Sequence, residues 1–321
     1  MTAIQFQLRQ ATHSDLPEIA ALISEGLSFD GLTIVQTAEE LEEDWGGPYC
    51  FLDQDVVVAE HESHIIGVGY TYFLPSETKE ERCYALGTVK PAYRRKGVGT
   101  EIQQWTTTRA EKLLRSTNRT IPKFLRSDVS TSNTSADFLF KKFNMRPVRW
   151  NEDLIIDLNQ SPEVFVSPGY CVIPWDTSRD EEARVVKNLA FMDHWGSTPT
   201  SEEGWEQLVH GSTAKLDQSF FALDSNNNIV GLLLSHRYES DDETLGKRIG
   251  WIDKLATLSE HRGKSIGRSL ITHALAAYRR DGLTHAALDV DTENPTGAYG
   301  LYTAVGFSTF RGSVTYERIV Q

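Results

Sequence analysis

Two short segments carry residues suited to holding a phosphate. Arg94-Arg95-Lys96-Gly97-Val98-Gly99-Thr100 follows a strand-like run ending near Val89 and precedes Val98, Ile102 and Trp105 at helical spacing. A helix N-terminus offers free backbone N–H groups and the positive end of its dipole, both favourable to an anion. Glycines let the backbone approach a ligand closely, and Arg94, Arg95 and Lys96 add positive charge. Arg262-Gly263-Lys264-Ser265-Ile266-Gly267-Arg268 repeats the arrangement after the run Trp251–Leu258. Ser265 takes the place of Gly97; it keeps the N–H, and it is strained only if the position requires positive φ. One Gly-x-Gly also suits a helix start that merely tolerates glycine. Two copies in one strand–loop–helix context favour a phosphate loop.

The elements that position these loops also occur twice. Val56–Ala59, a polar turn and Ile65–Tyr72 match Phe220–Leu223, Asp224–Asn228 and Ile229–Leu234; the Asn-rich segment suits a hairpin turn. Gly67 and Gly231 lie 164 residues apart, and Arg94 and Arg262 lie 168 apart. Two unrelated features at nearly one offset indicate a duplicated domain. Each half opens with a strand and a helix. The first has Leu8 onward, Ser14 as cap, and Leu16, Ile19, Ala20 and Ile23 on one face. The second has Tyr170–Trp175, then a helix from about Ser178 with Ala183, Val186 and Ala190 inward. Pro162, Pro168 and Gly169 mark a linker, so the expected domains are 1–160 and 161–321.

Composition bounds the function classes. The 321 residues suffice for two cores, and 40% apolar with 24% charged residues describes an ordinary globular protein. A net charge of −13 argues against nucleic acid, whose binders need a basic surface. The absence of a long apolar run argues against a membrane span, and the first residues lack a secretory pattern. Cys50, Cys83 and Cys171 have no metal-ligand spacing, so no metal is expected. They suggest a reducing cytoplasm and buried packing for each.

Arg94-x-x-Gly97-x-Gly99, and Arg262-x-x-Ser265-x-Gly267 with its serine, resemble the signature of the GNAT superfamily of acetyl-CoA-dependent N-acetyltransferases. The family's later segment is matched by Leu288–Phe307, including Asn294, Ala298, Leu301 and Tyr302. It is matched more weakly by Asn133–Met145. The resemblance covers nearly the whole chain, and the tandem layout is similar to that of mycothiol synthases. It implies two α/β domains, each a mixed sheet that splays after its fourth strand with acetyl-CoA in the split and CoA as product. Pantetheine would meet the backbone of Gly87, Thr88 and Val89, or of Leu255, Ala256 and Thr257. The two loops, Arg94–Thr100 and Arg262–Arg268, would hold the pyrophosphate, with Asn294 near the split as cofactor ligand or as cap of a helix beginning at Pro295.

Many members of that family place a carboxylate nine residues before the loop arginine and a tyrosine in the last helix. Those positions hold Asp253 and Tyr302 in the second half, and Ala85 and Phe140 in the first. Ala85 and Phe140 cannot transfer a proton, so the first domain is expected to be non-catalytic. Asp253 is the candidate base if burial raises its pKa; otherwise it positions an ammonium or pairs with a neighbouring cation. Tyr302 is the candidate acid for the departing thiolate, uphill by about 2 kcal/mol at ordinary pKa values, or else it packs in the core. The acceptor would bind over Phe191–Trp205. There Asp193 could hold a cationic amine and Trp195 stack on it, or the segment is a hydrogen-bonded turn over a buried Trp195. Thr200-x-x-Glu203 reads as a capping box. This segment is unlike its mycothiol synthase counterpart, so the resemblance does not carry that substrate. The expected activity is acetylation of a small cationic amine in the second domain. The competing readings are a non-catalytic acyl-CoA sensor or scaffold, and acetylation of protein amines. Oligomeric state is not legible in the sequence.

Overall fold

The computed structural model describes residues 4–294 and 297–321. Two compact units divide the chain: Met1–Arg149 with Ser313–Gln321, and Trp150–Gly312. A cut at 160/161 therefore does not delimit them. The reason lies in strand pairing, because a last strand's residues do not reveal which sheet edge they join.

The first unit runs β1 (Gln7–Gln10), α1 (Leu16–Phe29), α2 (Ala38–Trp45), α3 (Leu52–Asp55), β2 (Val56–His61), β3 (His64–Leu74), β4 (Glu81–Val89), α4 (Val98–Arg115), β5 (Lys123–Ser130) and α5 (Thr134–Lys142). Its sheet follows the order β1-β2-β3-β4-β5 and is closed by the end of β12 (Ser308–Ile319), with Ser313–Ile319 antiparallel to β5. That edge is fixed by a buried ion pair, Arg126 to Glu317 at 2.8 Å, with Arg126 only 1% exposed. The 3-10 turn His13–Asp15 that leads into α1 is capped by Thr12 and Asp15, whose carboxylate accepts the Thr12 amide at 2.8 Å; Ser14 lies within that turn and does not cap α1. Helix α4 buries Val98, Ile102, Thr106 and Ala110, while Trp105 is only half-buried.

In the second unit, β6 (Arg146–Asp157) contributes Asn151–Asp157, antiparallel to β11 (His285–Asp291). Then come β7 (Cys171–Pro174), α6 (Asp180–Ala190), α7 (Glu202–His210), β8 (Phe220–Leu223), β9 (Ile229–Arg237), α8 (Asp242–Leu245), β10 (Ile249–Thr257), α9 (Ile266–Arg280), β11 and α10 (Ala298–Val305). The order is β6-β11-β10-β9-β8-β7. Helix α9 buries Leu270, Ile271, Ala274 and Tyr278 on one side of the sheet; Ala183, Val186 and Trp205 pack on the other. The segment expected as a linker is pinned to α9: the Phe165 amide donates to Thr272 Oγ1 at 3.0 Å, and Ser269 Oγ donates to the Phe165 carbonyl at 2.9 Å. Cys50 and Cys83 are buried, but Cys171 is exposed, because its turn of β7 faces outward. Among the described residues, no helix is long and apolar enough to cross a membrane.

Candidate functional site

Each sheet splits in the same place. Parallel pairing of β4 with β5 stops at Tyr84 and Arg126, and that of β10 with β11 stops at Ile252 and Leu288. Beyond the split, Gly87–Val89 and Leu255–Thr257 pair only with β3 and β9, which leaves their other edge free to take a ligand. A cleft of about 600 Å³ opens there in the first unit and one of about 610 Å³ in the second. Both are of the size that small-molecule sites occupy.

The loops wrap the mouths of these clefts. Residues 95 and 97 have positive φ (63° and 95°) in the first unit, and residues 263 and 265 (74° and 62°) in the second. The two loops thus share one conformation with glycine at alternate positions, Gly97 in one and Gly263 in the other. Ser265 does occupy a left-handed position, so its substitution carries strain of roughly 1 kcal/mol. Successive amides in such a turn, leading into a helix N-terminus, form an anion cradle. Of the expected loop residues, Arg94, Arg95, Gly97, Gly99 and Thr100 line the first cleft; Arg262, Gly263, Ser265, Ile266, Gly267 and Arg268 line the second. Lys96 and Val98, and Lys264, do not line the clefts: Val98 is core, Lys96 lies over Tyr93, and Lys264 lies over Tyr170.

Arg94 and Arg262 do something other than add charge for a phosphate. Arg94 donates to the Val89 and Gly26 carbonyls at 3.0 and 3.2 Å and pairs with Asp30 at 2.5 Å. Arg262 donates to the Thr257 and Ala190 carbonyls at 3.2 and 2.7 Å. Each brace ties a strand end to the last turn of the unit's first helix. Cations suit that negative helix end. The equivalence also aligns the units residue by residue, Gly26 with Ala190.

Asp253 sits on a β-bulge. Ile252 pairs with Ser235 and Lys254 with Leu234, leaving Asp253 as the extra residue. In the first unit Ala85 pairs with Thr71 and Leu86 with Tyr70, without a bulge. So Ala85 matches Ile252 on the strand, and Asp253 has no counterpart. Counting back from the loop arginine concealed this insertion. Asp253 is 26% exposed at the cleft, with Lys254 Nζ at 2.8 Å and His236 Nε2 at 3.9 Å. Burial would raise its pKa, but Lys254, His236 and Lys187 outweigh burial and hold it below the usual carboxylate value. His236 is itself pushed down, mainly by burial, and both its ring nitrogens face partners: Thr213 Oγ1 at 3.0 Å and the Leu208 carbonyl at 3.1 Å.

Tyr302, 8% exposed, lines the same cleft from α10, beside Asp289 and Asn151. Among the described residues, no group hydrogen-bonds its hydroxyl. Burial first, and the Asp289 charge second, push its pKa well above that of a free phenol. Phe140 occupies the matching place in the first unit, packed on Tyr316. Asn294 lines the second cleft, but it does not cap α10, which begins after Gly297; Pro295 lies outside the described residues.

Asp193 and His194 reach the second cleft wall, whereas Trp195 does not; its carbonyl faces the His194 ring at 3.0 Å. Helix α7 is capped by Ser201, which accepts the Gly204 amide at 3.1 Å. Thr200 is held instead by Lys187, Asn188 and Arg184. Asp289 and Asp291 complete an acidic rim that the sequence reading missed. Their alternation on β11 was visible, but which face would open was not.

Comparison with known proteins follows from this geometry. The family model described as "Acetyltransferase (GNAT) family" matches residues 25–145 and again 187–307. The chain is 23% identical over 312 residues to a mycothiol acetyltransferase of Saccharomonospora viridis, covering 94% of this chain and 95% of that one. It is 28% identical over 240 residues to one from Salinispora tropica, covering 71% of each. A GCN5-related N-acetyltransferase from Sphaerobacter thermophilus superposes with a TM-score of 0.77 at 24% identity, over 98% and 96% of the two chains. A tandem GNAT protein from the clavulanic acid biosynthesis pathway gives 0.71 at 14%, over 99% of each.

Proposed function

The chain belongs to the GNAT acetyltransferase family and is an N-acetyltransferase, and from that premise we propose that it transfers acetyl from acetyl-CoA to a small cationic amine within the second unit. The observation that carries this is the asymmetry between two otherwise matching clefts. The second has the bulge that aims Asp253 inward, the hydroxyl of Tyr302, which no group among the described residues hydrogen-bonds, and the acidic residues Asp193, Asp289 and Asp291. The first has Phe140 in the place of Tyr302, and its strand runs through Ala85 and Leu86 without the bulge, so it has no counterpart of Asp253. Both clefts fit acetyl-CoA: a left-handed loop at a helix N-terminus, a free strand edge and adequate volume.

When bound, acetyl-CoA supplies a thioester as acyl donor. The chain's own groups do the rest. Asp253 and Asp289 attract the ammonium form of the acceptor and orient it. Asp253, held ionised by Lys254 and His236, is a weak base for an alkylamine. Its role is charge complementarity, with proton loss from the amine to water at the open cleft. Tyr302 stays protonated and donates a hydrogen bond toward the sulfur position. Its raised pKa makes full transfer less favourable than for a free phenol, so hydrogen bonding carries the effect.

The test is amine-dependent release of CoA from acetyl-CoA across a panel of small amines. Diamines and amino sugars are expected to be acetylated, and Asp253→Ala should raise KM for cationic acceptors about tenfold or more, the scale of a charge-assisted contact. Acetylation restricted to neutral or anionic acceptors would overturn the assignment.

A further inference from the structure

Strand pairing aligns the two cleft throats, and their chemistry is opposite. Around Asp253 the second unit places Lys187 on α6, His236 on β9 and Lys254 on β10. The same offsets that match Gly26 with Ala190, and the Leu86–Tyr70 pair with Lys254–Leu234, give the first unit Ile23, Tyr72 and Leu86 at these places. Each of these three basic side chains is thus replaced by an apolar or aromatic one, and the aspartate-bearing bulge is gone. Ile23 and Leu86 line the first cleft with Leu27, Leu32 and Tyr70. Tyr70 is backed by Trp45 at 5.2 Å and Tyr72 at 6.2 Å between ring centroids. The carboxylates on this wall are engaged: Asp128 accepts the Thr315 hydroxyl at 2.5 Å, and Asp30 holds Arg94 and Asn133. The loop and the free strand edge of Gly87–Val89 remain.

We propose that the first unit is a non-reacting binding site for acyl-CoA with an apolar acyl chain longer than acetyl, seated in the throat formed by Ile23, Leu27, Leu32, Tyr70 and Leu86. A cleft that keeps the phosphate cradle while its far end turns apolar selects for the part of the ligand that reaches that end. Phe140 cannot protonate a leaving thiolate, the aspartate-bearing bulge is absent and the Asp128 carboxylate is tied to the Thr315 hydroxyl, so binding leaves the thioester intact. The inference rests on reading the loops as acyl-CoA sites, and it is independent of which amine the second unit takes.

The experiment is calorimetric titration of the full chain carrying Gly267→Glu, which sets a negative charge at the mouth of the second loop. CoA, acetyl-CoA, butyryl-CoA and hexanoyl-CoA are compared. Affinity is expected to rise about threefold per added methylene, somewhat under the roughly fourfold that complete burial of a CH₂ gives. Adding Leu86→Lys should abolish that increment and leave the affinity for CoA itself within about twofold. Leu27→Gln, in the same throat, serves as a second probe should the lysine variant not fold. Equal affinity for acetyl-CoA and hexanoyl-CoA, an increment that survives both substitutions, or no binding of any acyl-CoA would overturn the proposal. Failure of the wild-type chain to acetylate amines would count against the second unit's assignment and leave this series unaffected.

Discussion

Asp253 stays ionised across the range in which an acceptor amine changes charge. Burial opposes ionisation, yet Lys254, His236 and Lys187 prevail and keep its pKa below the ordinary value near 3.8. The sign follows: the carboxylate is protonated only as the pH falls through that lowered value. Any stability from this carboxylate is present above its unfolded pKa and lost as pH falls through the lower folded value. The pH profile of kcat/KM should therefore show a basic-side rise belonging to the amine and no inflection between pH 5 and 8 that Asp253→Asn removes. An inflection lost in that variant would restore Asp253 as a base. At this scale the sequence pointed to positions that share one cleft wall, Asp253, Tyr302 and the second loop apart from Lys264; the chemical roles read into them remain proposals. What the residues could not disclose was their neighbours. The roles of Arg94 and Arg262 as braces, and the cations around Asp253, depend on contacts between positions distant in sequence.

The elements explain why the loops tolerate different residues. Two left-handed positions recur, and each loop spends a glycine on only one of them. A Cβ at Gly97 or Gly263 would meet nothing within 4 Å, so substitution there tests backbone conformation alone. Gly97→Ala and Gly263→Ala should each destabilise by about 1 kcal/mol, read as a drop in Tm of a few degrees. Ser265→Gly should do the reverse by a smaller amount, since glycine also gains unfolded-state entropy. Insensitivity of Tm to both alanines would contradict the shared geometry. Helix faces and hairpins were readable because their period is local. The bulge was not, since one added residue on β10 leaves the spacing from Asp253 to Arg262 equal to that from Ala85 to Arg94.

For the whole chain, the decisive fact is that residues 313–321 belong to the first compact unit and residues 150–160 to the second. A fragment ending at residue 160 loses the strand that satisfies the β5 edge and leaves Arg126, 1% exposed, without Glu317. Arg126 keeps Glu80 at 2.8 Å but loses its second ion pair together with the β5 ladder partner that buries it. Fragments 1–160 and 161–321, expressed separately, should therefore show no cooperative unfolding transition in denaturant, and cooperative melting of either would contradict the division. Duplication was evident from repeated offsets, but the exchange of final strands was not, because a strand's pattern names its buried face and not its partner. The same duplication makes the account's main claim testable within one molecule: chemistry resides in the second unit. Steady-state acetylation should be compared for Tyr302→Phe and Phe140→Leu, each checked for unchanged acetyl-CoA binding. The account predicts that Tyr302→Phe lowers kcat by about 10- to 100-fold while Phe140→Leu leaves it within twofold. Equal losses from the two substitutions would contradict it.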